Sequence, residues 1–307
     1  MQTSRIFIIG ATGAIGHQVY AQANHIKDEV IGTYHTAAEA GLRPFDCLSD
    51  SLRTLSGALT SRDCVYLLAA NVDPNSVFRD PARSRALNVE AAIRLADEVF
   101  AANARLVFVS TELIFDGQEG GYREESAPSP ITLYGRQKLE VEQHIRSQNR
   151  NWWIVRTGAT VTERRRDSCP VSKTYATMMQ SSKKPARIAQ DNVFSITDVR
   201  DTGRLLLDFA FREGRGLYHF VATPPLARAQ LAEWIIEDSE FGATMSFSRV
   251  LHSEVDYPEL RPRRSWLAND KAVKDLGVRF ASPREVIRRK VKLLDAWEKA
   301  QLSRGAP

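Results

Sequence analysis

Tyr134 and Lys138 stand four residues apart in Tyr134-Gly135-Arg136-Gln137-Lys138, a spacing that puts both side chains on one face of a helix. A lysine ammonium beside a tyrosine favours the phenolate and draws its pKa from about 10 toward neutrality. Such a phenol can exchange a proton with a carbonyl or hydroxyl oxygen. Upstream, Ser110-Thr111 offers a hydroxyl that can hydrogen-bond the same oxygen, so Thr111, Tyr134 and Lys138 form a candidate catalytic set. An ordinary amphipathic helix can carry the same tyrosine–lysine spacing on its surface, so the surroundings decide.

The chain opens with an apolar run, Arg5–Ile9, that passes directly into Gly10-Ala11-Thr12-Gly13-Ala14-Ile15-Gly16. At a strand–turn–helix junction the first glycine permits the tight turn and the second lets backbone amides approach a pyrophosphate. The third lets helix and strand pack closely, and the helix N-terminus supplies positive potential. Gly10, Thr12, Gly13, Ala14, Ile15 and Gly16 are therefore the expected dinucleotide loop. Ala69, Ala70, Tyr134 and Lys138 complete the expected cofactor contacts, and a nicotinamide held there supplies the hydride that complements the proton of Tyr134. An NAD site commonly places an acid after the second strand, on the ribose 2′-hydroxyl. Here Val30-Ile31-Gly32-Thr33-Tyr34 is followed by His35 and Thr36, with no acid before Glu39. A carboxylate would repel a 2′-phosphate, so its absence makes NADP(H) the preferred cofactor while NAD(H) stays open. No arginine stands in the usual place, and whether Arg43 reaches the site is left open.

These groups need a sheet to hold them. Apolar runs recur at Arg5–Ile9, Val30–Tyr34, Cys64–Ala69, Leu106–Ser110 and Trp152–Arg156, as strands buried on both faces of a parallel sheet do. Helical spacing appears from Gly13 through Ile15, Val19 and Ala23, from about Pro81 through Val99, and from Tyr134 through Ile145. This alternation predicts an α/β fold, a Rossmann-type doubly wound parallel sheet with right-handed crossovers, over residues 1–160. Residues 161–307 read as a smaller α/β C-terminal substrate lobe, with some chain crossing back to the first domain. Helical patterns there cover Lys173–Ser182, Val199–Arg212, Arg228–Phe241 and Pro283–Ala300, with strand-like pieces at Arg187–Ala189 and Leu217–Val221.

Of 307 residues, 43% are hydrophobic and 26% charged, which is neither a disordered nor a fibrous composition. Cys47, Cys64 and Cys169 are odd in number and far apart. That argues against a disulfide framework or structural zinc and for a reducing, cytoplasmic setting. His17, His25, His35, His144, His219 and His252 show no metal spacing, and no metal is expected. No apolar run suits a signal peptide or a membrane span. Residues 1–150 hold 15 basic and 18 acidic side chains, and residues 151–307 hold 27 and 19. A basic second half could meet a phosphorylated small molecule, a membrane surface or nucleic acid. Its dispersed charges argue against nucleic acid. Arg164-Arg165-Arg166 could clamp phosphates with bidentate guanidinium forks, but a solvated loop is the expectation. Trp152 and Trp153 are expected in the core.

The segment Val109-Ser110-Thr111-Glu112-Leu113-Ile114-Phe115-Asp116-Gly117 resembles the S-T-D-x-V-F-D-G stretch of dTDP-4-dehydrorhamnose reductase-like proteins. These are the sugar-nucleotide-binding branch of the extended short-chain dehydrogenase/reductases, which use the same 3-3 glycine spacing as Gly10–Gly16. Glu124–Pro128 and Tyr134–Lys138 are similar to that family's run into the active-site helix, and Arg156-Thr157 to its R-T-S-W. Asp191–Thr197 resembles D-Q-x-x-x-P-T, and Arg261–Leu267, with Lys271 and Leu276-Gly277, resembles R-P-x-x-S-x-L-x-x-x-K-x-x-x-L-G. The resemblance spans nearly the whole chain. It implies NADP(H)-dependent reduction of a nucleotide-activated 4-keto deoxysugar, with Tyr134 as the acid, Lys138 tuning it and holding the ribose, and Thr111 polarising the carbonyl. It places Asp46 at the adenine, and Glu112, Arg156, Asn192 and Arg261 at the substrate. A sugar nucleotide is then the partner, neither nucleic acid nor membrane is, and a homodimer is allowed.

Departures from the family pattern fall at the sugar end. Glu112 replaces an Asp, no tryptophan follows Arg156-Thr157, and Val72, Pro74 and Asn75 replace Thr, Val and Asp. They leave two rivals to the reductase. One is an epimerase or dehydratase of the same superfamily, for which Glu112 could serve in an acid/base pair. The other is a non-catalytic regulatory subunit that keeps the fold and the nucleotide site.

Overall fold

Phe7 and Ile9 face one side of the first strand, Ile6 and Ile8 the other, and all four are sealed from solvent. The period of two along a strand survives here as two apolar faces, each needing its own layer of helices. The computed structural model describes residues 4–304 apart from 24, 25, 27, 28, 37, 165, 166, 168 and 181–184. His25, Arg165, Arg166 and Ser182, named above, lie outside the described residues.

The first half runs β1 (Arg5–Ile9), α1 (Ala14–Ala23), β2 (Glu29–Tyr34), β3 (Arg43–Pro44), α2 (Arg53–Ser56) and β4 (Cys64–Leu67). It continues through α3 (Pro74–Arg79), α4 (Pro81–Arg85), α5 (Ala92–Ala101), β5 (Arg105–Thr111), α6 (Leu133–Ser147) and β6 (Trp152–Thr157). The second half begins with β7 (Ala159–Val161), α7 (Pro170–Met179), β8 (Ala186–Ala189), β9 (Val193–Phe194), β10 (Ile196–Asp198) and α8 (Val199–Asp208). It ends with β11 (Arg215–Phe220), β12 (Leu226–Ala227), α9 (Arg228–Asp238), β13 (Phe247–Val250), α10 (Asp270–Leu276) and α11 (Pro283–Arg304).

One seven-stranded sheet has the order β11-β6-β5-β4-β1-β2-β3, parallel throughout. Its β3-β2-β1-β4-β5-β6 part is the doubly wound nucleotide-binding order, reversing direction between β1 and β4. β11, from the second half, completes the edge of the sheet beside β6. Trp152 and Trp153 are core residues on opposite faces. Val161, Val171, Phe194, Leu231, Ile235, Val286 and Val291 build a separate core in the second half. It is assembled around α7, α9 and α11 with two-stranded sheets β10-β7, β12-β9 and β13-β8. Among the described residues no helix is long and apolar enough to cross a membrane.

The helix expected from about Pro81 through Val99 is present as an unbroken run of α4 and α5, joined by a π-helical turn over Ala86–Ala91. Asp80 ends α3 and its side chain accepts from Arg83 N at 3.1 Å, capping α4, while Pro81 occupies the first helical position. The wide turn carries Asn88 inward, where its amide donates to the Asn71 carbonyl and to Gln137 Oε1 at 2.9 Å. That bond ties the helix carrying Lys138 to the strand end after β4.

Candidate active site

The glycine loop sits where β1 meets α1, at the reversal of strand order. Gly10 has φ +92°, and a Cβ there would lie 2.8 Å from the Ala69 nitrogen. A Cβ on Gly16 would lie 2.2 Å from the Gly10 carbonyl oxygen. Both positions require glycine for close packing, and the first turn of α1 carries no acid. Thr33 anchors the loop from β2, its hydroxyl accepting from Gly10 N at 3.0 Å and its carbonyl from Ala11 N at 2.9 Å. The Gly13 amide turns back to the Gly10 carbonyl at 2.9 Å, so an anion would meet the loop at Thr12 and at the start of α1, Ala14 and Ile15, with Ala69 and Ala70 on the β4 side. A dinucleotide's pyrophosphate fits these residues. His35 is exposed after β2, its Nε2 3.9 Å from Asp46 Oδ1. Arg43 is engaged elsewhere, with the Leu55 carbonyl and, at 3.6 Å, Glu29.

At the end of β5, Thr111 turns the chain into a short 3-10 segment, its Oγ1 accepting from Leu113 N at 3.2 Å. The hydroxyl's own hydrogen is thereby left to donate. Thr132 caps α6 by accepting from Gly135 N at 3.0 Å, and a Cβ on Gly135 would lie 2.0 Å from the Leu113 carbonyl oxygen. Gly135 thus lets the first turn of α6, which carries Tyr134, press directly on the short turn that follows Thr111. Tyr134 and Lys138 are both buried on the inner face of α6. Lys138 Nζ lies 3.8 Å from the centroid of the Phe108 ring.

The electrostatics differ from the expected pairing. Burial alone pushes the Tyr134 phenol up from its ordinary value, so it stands here as a neutral acid rather than a lysine-acidified one. Burial pulls the Lys138 ammonium down to about 7, with Glu142 opposing that shift. The same low-dielectric setting disfavours both charges.

Glu112 is buried next to Thr111, and burial pushes its carboxyl up to about 8 against the opposing pull of Ser265, Ser195 and Arg228. Its Oε2 has no hydrogen-bond partner among the described residues. Arg261 donates to Asn75 Oδ1, so the asparagine that departs from the family pattern bridges α3 to the second half. Arg261 Nη1 is buried 3.7 Å from Glu259 Oε2 without a hydrogen bond. Glu259 in turn accepts from Leu133 N at 2.5 Å, one residue before Tyr134.

Two expected substrate residues do other work. Arg156 is fully buried in an ion pair with Glu142 at 2.7 Å and stacks 5.4 Å from the Phe115 ring centroid. Its Nη1 also meets His219 Nε2 at 3.4 Å. His219 Nδ1 lies 3.0 Å from the Ala268 carbonyl, an acceptor only, so Nδ1 carries the hydrogen and Nε2 accepts from Arg156. Burial and Arg156 hold His219 neutral, with its pKa down at about 3. Arg156 therefore fastens α6 to β6 and β11, its guanidinium fully buried among these partners. Asn192, also buried, donates to the Pro262 and Arg263 carbonyls at 3.1 and 2.9 Å and accepts from Arg228 Nε. Its amide is fully engaged in holding the Arg261 segment, a positioning role.

Arg228, Glu259 and Arg164 were not singled out as site residues by sequence reasoning, Arg164 having been assigned to a solvated loop. Arg228 opens α9, lies over the Phe194 ring at 4.7 Å and is held below its usual pKa by burial. Arg164 donates to the Thr12 carbonyl at 2.6 Å. Neither position carries a periodic signal, so neither contact was legible before the fold brought the halves together.

A doubly wound sheet with a 3-3 glycine loop, a threonine at the end of β5 and the tyrosine–lysine pair on α6 define the extended short-chain dehydrogenase/reductase class. Within it, the chain belongs to the family described as RmlD substrate binding domain, which it matches over residues 4–295. It is 27% identical over 237 residues to methionine adenosyltransferase 2 subunit beta of Xenopus laevis, covering 74% of this chain and 70% of that one. It is 26% identical to a dTDP-4-dehydrorhamnose reductase of Sinorhizobium fredii over 94% of this chain and 96% of the other. The solved dTDP-4-dehydrorhamnose reductase of Bacillus anthracis, in complex with NADP, shares the fold with a TM-score of 0.75. It is 21% identical over 94% of this chain and 98% of its own.

Proposed function

We propose that this chain reduces a nucleotide-activated 4-keto deoxysugar with NADPH, accepting NADH less readily, and does so in the cytoplasm. The observation that carries the reading is the seating of α6 on the Thr111 turn through Gly135, beside a glycine cradle shaped for a pyrophosphate. The Sinorhizobium reductase, alike along almost its whole length, supports the substrate class, and the Bacillus complex supports NADP. NADPH, when bound, supplies the hydride. Thr111 donates its hydroxyl hydrogen to the substrate carbonyl oxygen and stabilises the negative charge that develops there. Tyr134, neutral in its buried setting, gives its proton to that same oxygen, completing the alcohol. Lys138, as an ammonium, holds the ribose hydroxyls and stabilises the phenolate left behind, which regains its proton from solvent. Arg261 and Arg228 hold the diphosphate of the sugar nucleotide, and Glu112, protonated near neutrality, hydrogen-bonds a sugar oxygen.

A second reading, a nucleotide-binding subunit of another enzyme, draws support from the name of the Xenopus relative. NADPH absorbance followed against a panel of 4-keto sugar nucleotides separates the two. Consumption of NADPH with one of them supports the reductase, and binding without consumption supports the subunit.

A further inference from the structure

Arg164 follows β7 in the second half, yet its guanidinium lies on the glycine loop of the first. Nη2 donates to the Thr12 carbonyl at 2.6 Å and approaches the Gly13 carbonyl at 3.5 Å. The backbone that carries it is mounted from several sides. Its amide donates to Thr162 Oγ1 at 3.1 Å, and its carbonyl accepts from Lys290 Nζ. Lys290 is buried and pairs with Asp167 at 2.9 Å, and Asp167 also accepts from the Thr162 hydroxyl. The preceding residue, Glu163, pairs with Arg200 of α8 and, at 3.7 Å, with Arg289 of α11. Among the described residues no carboxylate pairs with Arg164 itself. A held guanidinium without a counter-charge, at the rim of a helix N-terminus that carries no acid in its first turn, is suited to an anion between the two.

We propose that Arg164 is a cofactor-holding residue, contributed by the second half, whose guanidinium pairs with a phosphate of the dinucleotide seated on Gly10–Gly16. One amino group stays on the Thr12 carbonyl, and the remaining donors of the planar fork face the phosphate. This rests on the dinucleotide reading above. It also supplies the arginine that is missing after β2, from a segment 152 positions beyond Thr12.

The test is fluorescence titration of NADPH and NADH into wild type, Arg164→Gln and Arg164→Lys at low and high salt. Glutamine removes the charge but falls two bonds short of the Thr12 carbonyl, so Arg164→Lys, which keeps a charge at comparable reach, separates the charge from the loop contact. Arg164→Gln is expected to raise the Kd for NADPH at least about tenfold and to flatten its dependence on ionic strength, since a lost ion pair can no longer be screened. Arg164→Lys is expected to recover part of both. An equal loss for NADH assigns the pyrophosphate, and a loss confined to NADPH assigns the 2′-phosphate. Kd values within twofold of wild type for both nucleotides overturn the assignment, as does a weakening that keeps the wild-type salt dependence. A wild type that binds neither nucleotide overturns the dinucleotide reading as well.

Discussion

Tyr134 and Glu112 show how one buried setting prepares two acids. Each is kept protonated by burial, the phenol pushed up and the carboxyl raised to about 8. Tyr134→Phe keeps the ring and its packing but removes the proton. General acid catalysis contributes about 10²–10⁴-fold, so kcat is expected to fall at least about a hundredfold with NADPH affinity little changed. Glu112 also has a signature in stability. Its carboxyl ionises near 4.5 when unfolded and near 8 when folded, so between those values the native state holds the extra proton and stability falls as pH rises. Lys138, lowered from 10.5 to about 7, acts in the opposite sense, adding stability as pH rises through that interval. Denaturant midpoints measured from pH 5 to 8 are expected to decline less in Glu112→Gln than in wild type, and equal slopes would remove the buried-acid assignment. Thr111, Tyr134 and Lys138 could be picked out because the chemistry proposed for them lies in local spacing. The expected acidification of Tyr134 by Lys138 was not borne out, because spacing reports that two groups share a helix face and not how dry that face is.

The elements matter most through α6, which presents Tyr134 and Lys138 on its inner face and anchors itself with Glu142. The Glu142–Arg156 pair is completely buried, with His219 behind it. Removing one partner of such a pair costs about 3–5 kcal/mol, because the other charge is stranded. Glu142→Gln is therefore expected to lower the denaturant midpoint substantially, whereas a well-packed apolar replacement of both Glu142 and Arg156 is expected to recover most of the loss. A stable Glu142→Gln would show that Arg156 is free to serve the substrate after all. An arginine at a strand end beside a catalytic turn looks the same in sequence whether it points at substrate or into the core. What distinguishes it is a carboxylate 14 residues upstream and a histidine 63 residues downstream, pairings set by the strand order. Asp80-Pro81 marks where the expected helix begins, whereas the π-helical turn at Ala86–Ala91 inside it left no mark, because one extra residue in a turn barely disturbs the apolar spacing.

Across the whole molecule, both-face-buried strands made the parallel sheet readable, with β11 of the second half at its edge. The second half was read less well, because β7, β9, β10 and β12 are two or three residues long, too short for any periodicity to register. Its role becomes visible only in contacts between halves: Arg261 with Asn75, Glu259 with Leu133, and Arg164 with Thr12. With no acid after β2 and His35 exposed there, NADPH is expected to bind at least as tightly as NADH. A tenfold preference for NADH, about 1.4 kcal/mol, would contradict that expectation. The most direct measurement of the central claim follows NADPH absorbance with wild type and Tyr134→Phe against a panel of 4-keto sugar nucleotides. The account predicts that wild type reduces at least one of them, one NADPH per carbonyl, and that the variant does so at least about a hundredfold more slowly. Binding of a keto-sugar nucleotide without turnover, or near-full turnover by Tyr134→Phe, would contradict it.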